Sequence, residues 1–235
     1  MLRHQGFHLV PGACLGDLDK LRREADDMLA DGHAARNVLR RSSHLAHYAM
    51  RWGEHPLIHE ALGRPAFAIR GLLFDKIPGA NWQVPWHQDR LIAVCKRIDL
   101  PGWGPWSVKD GVQHVDPPEP WLHRRLAIRL HLDDCPADNG ALQVIAGSHE
   151  DDSLTPANSP PQIIEAMAGD VLVMHPLLLH ASAPSRTPRR RRILHIEYAC
   201  DPLPGGLHWE AVNDPSPTPP LSCAGTPQPG FPPPA

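Results

Sequence analysis

The sequence has no strong charge of either sign, no long apolar run, no paired cysteines and no internal repeat. Its formal net charge is -3 over 235 residues, so no overall field draws it to nucleic acid or to an anionic membrane surface. The longest apolar stretch, near Val171–Leu179, is broken by His175 and Pro176 and falls well short of the ~20 residues a spanning helix needs. The five cysteines, Cys14, Cys95, Cys135, Cys200 and Cys223, form no CxxC pair. An odd count without a secretory leader fits reduced thiols and a cytoplasmic protein. Partners are therefore expected among small molecules, with neither nucleic acid nor membrane involved, and oligomeric state is left open.

Two residue types are abundant instead: 28 prolines and 16 histidines. The prolines imply short elements and many turns, and the histidines make metal chemistry worth testing. Residues 1–65 read as a helical layer. Leu15, Leu18, Leu21, Ala25, Met28 and Leu29 share one face at three-to-four spacing, with Asp17 as N-cap and Gly32 as stop. A second helix runs from Pro56 to Leu62 and ends at Gly63.

From residue 66 the texture becomes short, apolar and β-branched. Strands are expected at 67–76, 91–96, 125–132, 141–145, 170–174, 177–182 and 190–199. Asp138-Asn139-Gly140 reads as a hairpin turn joining two of them. Repeated strands without intervening helices indicate an α+β, mainly β chain with an antiparallel double sheet over 66–212. Within it, 97–124 reads as a lid-like loop carrying Trp103, Trp106 and Trp121. Residues 1–212 then form one domain. The stretch 213–235, with nine prolines, reads as a disordered tail.

The chemistry centres on Trp86-His87-Gln88-Asp89. On extended backbone His87 and Asp89 point the same way, and a third ligand from His180 would complete two histidines and a carboxylate, the set used by non-haem Fe(II) oxygenases. The HxD pattern also occurs at His131/Asp133 and His149/Asp151, so by itself it does not choose. A second feature favours the first pair. A 2-oxoglutarate co-substrate needs a strand-borne arginine for its distal carboxylate, and Arg189–Arg192 supplies candidates just before an alternating strand. His195 and Glu197 alternate with Arg191 and share its face. Lys76 and Asn81 read as surface or turn residues, with contact to the co-substrate as the alternative, and His44, His47, His55 and His59 read as surface. Trp106, Lys109, Asp110 and His114 form a polar-aromatic cluster suited to contacting substrate.

The ordered set WHQD, DNGALQVIAGSH, a Gly-Asp-Val turn, LLLHAS and RRILHIEYA resembles the phytanoyl-CoA dioxygenase family of Fe(II)/2-oxoglutarate oxygenases over residues 66–200. The resemblance implies a double-stranded β-helix, or jelly roll, with N-terminal helices packed outside. It implies Fe(II), 2-oxoglutarate and O2 as cofactors, with His87, Asp89 and His180 as iron ligands. Arg191 corresponds to the arginine that holds 2-oxoglutarate, Ser182 to the hydroxyl residue that assists it, and Gln88 lies inside the ligand motif. Arg129 occupies a position where some members place a tryptophan beside the co-substrate, and Pro184-Ser185 departs from the usual Asn. Halogenating relatives carry a small residue in place of the carboxylate, so Asp89 implies hydroxylation or a related oxidation such as desaturation. The implied activity is a dioxygenase acting on a small or medium organic substrate and releasing succinate and CO2. Two alternatives are a non-catalytic metal-binding jelly-roll sensor or scaffold, and a cupin-like metalloenzyme that uses His131 and Asp133 and no 2-oxoglutarate.

Overall fold

The structure is a computed structural model and describes residues 2–30, 32–186 and 189–210. The expected proline-rich tail at 213–235 lies outside the described residues. The N-terminal part runs α1 (Leu2–Gln5), β1 (Phe7–Val10), α2 (Leu18–Met28), β2 (Ala34–Arg36), α3 (Val38–Arg41), α4 (Ser43–Gly53) and α5 (Pro56–Leu62). There follow β3 (Phe67–Lys76), β4 (Val84–His87), β5 (Ile92–Val94), β6 (Trp106–Lys109), β7 (Val112–Val115) and α6 (Glu119–Leu122). The rest comprises β8 (Arg125–His131), β9 (Leu142–Val144), β10 (Gln162–Ile164), β11 (Val171–Met174), β12 (His180–Ser182) and β13 (Arg191–Ala199).

The strands form a six-stranded sheet in the order β1-β11-β8-β13-β3-β2, a four-stranded sheet β10-β9-β12-β4 and a three-stranded sheet β5-β7-β6. Every pairing is antiparallel. The first two sheets face each other as a jelly roll, and Ala127, Leu142, Val144, Leu172, Met174 and Leu178 fill one part of the space between them.

Strand β13 shows why the helices and the cavity lie on opposite faces of the large sheet. Successive strand side chains alternate, so Leu194, Ile196 and Tyr198 join the core beneath α2 and α4. Arg191, Ile193, His195 and Glu197 line the cavity instead. Helix α4 starts where the Ser42 hydroxyl accepts from the Leu45 amide at 3.0 Å. Helix α5 has the bounds expected from sequence: Pro56 at its first turn and Gly63 closing it at φ 73°, a conformation that favours glycine.

Several expectations need correcting. The first residues are not wholly helical, because β1 joins the edge of the large sheet against β11 and β2 joins the other edge against β3. Asp17 precedes α2 without capping it, because its carboxylate pairs with Arg51 at 2.9 Å. Asp138-Asn139-Gly140 does turn the chain, but β8 and β9 belong to different sheets, so it is a crossing between sheets rather than a hairpin. The hairpin lies inside 97–124, the expected loop, where Asp110 (φ 50°) and Gly111 (φ 77°) join β6 to β7. Two successive residues at positive φ are what a tight hairpin turn demands. Cys14, Cys135 and Cys200 are free thiols, whereas Cys95 is disulfide-bonded, against expectation. No helix among the described residues is long and apolar enough to cross a membrane.

Candidate active site

Strands β4 and β12 pair so that His87 and His180 are register partners, with ring centroids 4.2 Å apart. Asp89 lies just beyond β4, held on three sides. Its amide donates to the Pro176 carbonyl at 2.8 Å, the neighbouring Gln88 side chain donates to the Leu177 carbonyl at 2.8 Å, and its own carbonyl accepts from Arg125 at 2.6 Å. Arg125 is buried and was not anticipated from sequence.

The imidazole tautomers follow from the backbone. His87 Nδ1 lies 2.8 Å from the Pro85 carbonyl and His180 Nδ1 lies 2.7 Å from the Leu178 carbonyl. A carbonyl only accepts, so each Nδ1 carries a hydrogen and Nε2 is the nitrogen turned toward Asp89. His87 Nε2 stands 3.5 Å from Asp89 Oδ1, and His180 Nε2 stands 3.7 Å from Asp89 Oδ2. The three ligand atoms lie within 4.8 Å of one another, forming the one potential metal-binding group of this kind among the described residues. Burial alone would push the Asp89 carboxyl up, but His180, His87 and His195 hold it well below the usual carboxylate range. Burial pushes His180 down to about 4 against the pull of Asp89. Contact with Asp89 pulls His87 the other way, upward. A divalent metal takes the Nε2 lone pair and releases any proton there, so a carboxylate with two imidazoles turned toward it is a donor set that fits one.

The other two HxD pairs are occupied otherwise. Asp133 forms a two-pronged contact with Arg192, at 2.8 and 2.7 Å, which leaves no free carboxylate beside His131. His149 Nε2 meets the Arg3 carbonyl at 2.9 Å, and Asp151 accepts from Ser153 at 2.6 Å. The cupin-like arrangement on His131 and Asp133 is therefore absent.

A cavity of about 580 Å³ opens beside the triad. At one end Arg191 is anchored by donating to the Gly140 carbonyl at 2.6 Å. Lys76 lies opposite Arg191 in strand register, donates to the Ser182 hydroxyl at 3.2 Å and sits 5.3 Å over the Trp82 ring. Arg129 lines the same cavity, and the Nε of Arg129 and of Arg191 are buried donors without a partner. Three cations and a hydroxyl, with no ion pair to any of the three among the described residues, make a cradle for an anion. Reading Lys76 as a surface or turn residue was wrong. The signal lay in period two along β3, which puts Arg70, Leu72, Phe74 and Lys76 on one face.

The expected substrate cluster is mostly dispersed. Lys109 lines the cavity, and Trp106, Asp110 and His114 do not. Trp106 packs with Trp103 and Trp121 against a core of Ile92, Val94 and Val115, Asp110 pairs with Arg36 at 2.7 Å, and His114 is buried with Nδ1 at 3.0 Å from the Val112 carbonyl.

A jelly roll that presents two histidines and a carboxylate beside an arginine-lined pocket defines the non-haem iron oxygenase class. The profile of the Phytanoyl-CoA dioxygenase (PhyH) family matches residues 17–193, and the chain belongs to that family. Its fold is similar to that of HygX from Streptomyces hygroscopicus with nickel and 2-oxoglutarate bound, at 15% identity and TM-score 0.63 over 84% of each chain. It is similar also to EctD from S. alaskensis with bound Fe, at 17% identity and TM-score 0.64, covering 85% of this chain and 74% of that one. A third similar structure is the non-heme alpha ketoglutarate dependent epimerase SnoN from nogalamycin biosynthesis, at 17% identity and TM-score 0.65 over 87% of each chain. The chain is thus a 2-oxoglutarate-dependent dioxygenase, with Fe(II), 2-oxoglutarate and O2 as its cofactors.

Proposed function

We propose that His87, Asp89 and His180 hold the iron, and that Arg191, Lys76, Ser182 and Arg129 hold the distal carboxylate of 2-oxoglutarate. The enzyme hydroxylates a small or medium organic substrate in the cytoplasm, with residues 1–212 acting as one domain. When bound, iron and co-substrate supply the oxidation: O2, 2-oxoglutarate and R–H give succinate, CO2 and R–OH, one oxygen atom entering each organic product.

The chain's own residues bind, orient and shield. The Pro85 and Leu178 carbonyls fix both imidazoles as Nε2 ligands. Arg125 and Pro176 fix the backbone of Asp89. Gln88 braces the segment before β12 by donating to the Leu177 carbonyl, so its expected part in co-substrate binding becomes a bracing one. Leu72, Phe74, Leu142 and Ile193 supply apolar walls that exclude water from the reacting centre. The retained carboxylate of Asp89 favours hydroxylation over halogenation.

The observation that carries this reading is the convergence of two imidazoles and a carboxylate beside three cationic side chains that form no ion pair among the described residues. The test is succinate release from 2-oxoglutarate under air, with and without added Fe(II). Asp89→Ala and His180→Ala should each abolish release. Metal-bound but wholly inactive wild-type protein across a broad substrate screen would favour a sensor instead.

A further inference from the structure

The end of the cavity remote from Arg191 carries its own positive charge. Arg70 lies six residues before Lys76 on β3, on the same face, roughly 20 Å along the strand. His195, opposite Leu72 and Arg129 in register, falls between the two ends, as does the metal-binding triad whose Asp89 it faces. Arg70 is thus on the far side of the triad from the 2-oxoglutarate cradle.

The charges at this end do not balance. Glu197 is shared between Arg70 at 3.2 Å and the buried Arg125 at 3.6 Å. Arg36 is matched by Asp110 at 2.7 Å, and Arg90, also at the rim, by Asp116 at 2.9 Å. Lys109, at the end of β6, lines the cavity and forms no ion pair among the described residues. Among the described residues Arg70 and Arg125 therefore share the one carboxylate of Glu197 and Lys109 pairs with none, the nearby Asp89 being a metal ligand, so positive charge is in excess at this end. The cations are close enough to repel: burial, then Arg70 and Arg36, lower the Lys109 ammonium. A like-charge cluster around a cavity is costly to the free protein and is relieved by a bound anion.

We propose that the substrate carries an anionic head group, a carboxylate or a phosphate monoester, which Lys109 and Arg70 hold at the cavity mouth while the carbon to be oxidised reaches inward to the iron. This rests on the function proposed above and specifies its substrate class. The pocket then has two anion sites of different kind, a deep one for co-substrate and an open one for substrate, with the metal between them.

The test uses the full chain loaded with Fe(II) and 2-oxoglutarate. Succinate release above the substrate-free rate is measured for a panel of aliphatic and aromatic acids, their primary amides and their phosphate monoesters. Stimulation should be confined to anionic members, with carboxylates against phosphates deciding which head group applies. Lys109→Glu should raise the half-maximal concentration of any stimulating compound about tenfold, the scale of a lost charge-assisted hydrogen bond, and Arg70→Gln should act in the same direction. Lys20→Glu, an equal charge change on the exposed face of α2, should leave it where it was. Amides that stimulate as well as acids, no stimulation by any anion, or a Lys109→Glu enzyme that responds like the wild type would overturn the proposal. Failure of the underlying reading shows separately, as iron-loaded protein that fails to bind 2-oxoglutarate before any panel compound is added.

Discussion

Lys76 and Arg191 face each other across neighbouring antiparallel strands, and both side chains turn into the cavity without a paired carboxylate among the described residues. Two cations so placed tolerate each other poorly until an anion arrives, and that sets the pH behaviour of the co-substrate site.

Burial first, then Arg191 and Arg129, push the Lys76 ammonium down from 10.5 to about 7. With a folded pKa below the unfolded one, folding releases a proton between those values. Stability of the ligand-free protein therefore rises with pH from 7 towards 10.5, and the penalty is fully present below 7. A dicarboxylate favours the charged amine, so above pH 7 its binding takes up a proton. Calorimetry between about pH 6.5 and about pH 8.5 should find 2-oxoglutarate affinity weakening as pH rises. Lys76→Met should bind more weakly throughout, with a flatter profile. An affinity that does not change with pH in the wild type would count against this role.

Gly140 holds Arg191 in place through its carbonyl. Its φ is 68°, and a Cβ there would lie 2.6 Å from the Ala183 carbonyl oxygen. Gly140→Ala should displace that carbonyl and with it the guanidinium. The expected outcome is a several-fold rise in KM for 2-oxoglutarate with iron stoichiometry retained, read by steady-state kinetics and metal analysis. Unchanged KM would show that Arg191 does not depend on this turn.

Gly53 marks a close approach of α4 to the chain that leads into β3. It ends α4, its carbonyl accepts from the Ala66 amide at 3.1 Å, and an added Cβ would overlap the Ala66 carbonyl oxygen. Gly53→Ala should cost about 1–3 kcal/mol by overpacking, or roughly 2–12 °C in Tm for a chain of this length. Thermal unfolding followed by circular dichroism measures it, and no shift would mean that the layer yields freely.

Asp133 separates this account from a cupin-like one. Its carboxylate is taken by Arg192, whose guanidinium also reaches Asp26 at 2.8 Å. Asp133→Ala should destabilise the fold by about 1–3 kcal/mol, the cost of leaving a largely buried partner unsatisfied. Iron binding should persist. Loss of iron from a folded variant would move the metal to His131.

How far the sequence discloses these features depends on whether the signal is local. The bounds of α5 and β13 follow from a proline start, a glycine stop and strict alternation, and the fold class follows from many short strands. The meeting of His87 with His180 was reachable through ligand chemistry and a family resemblance, because their juxtaposition comes from pairing strands far apart in sequence. Asp138-Asn139-Gly140 carries turn chemistry, but turn chemistry does not say which sheet the next strand joins. Asp110-Gly111 carried the same kind of signal and was obscured by the prolines and tryptophans around it. Arg125 was passed over, and Lys76 weighed towards the surface, because long cationic side chains usually reach water, and only the closed jelly roll shows them facing inward.

The central claim is that the triad binds iron and that Arg191 anchors 2-oxoglutarate next to it. Its most direct test is an anaerobic titration of the apo-protein with Fe(II) and then 2-oxoglutarate, followed by the weak visible charge-transfer band of the chelated co-substrate. The account predicts a saturable band in the wild type, a sharply weakened one in Arg191→Ala with iron still bound, and none in His180→Ala. Iron bound by the wild type with no band at any 2-oxoglutarate concentration would contradict it.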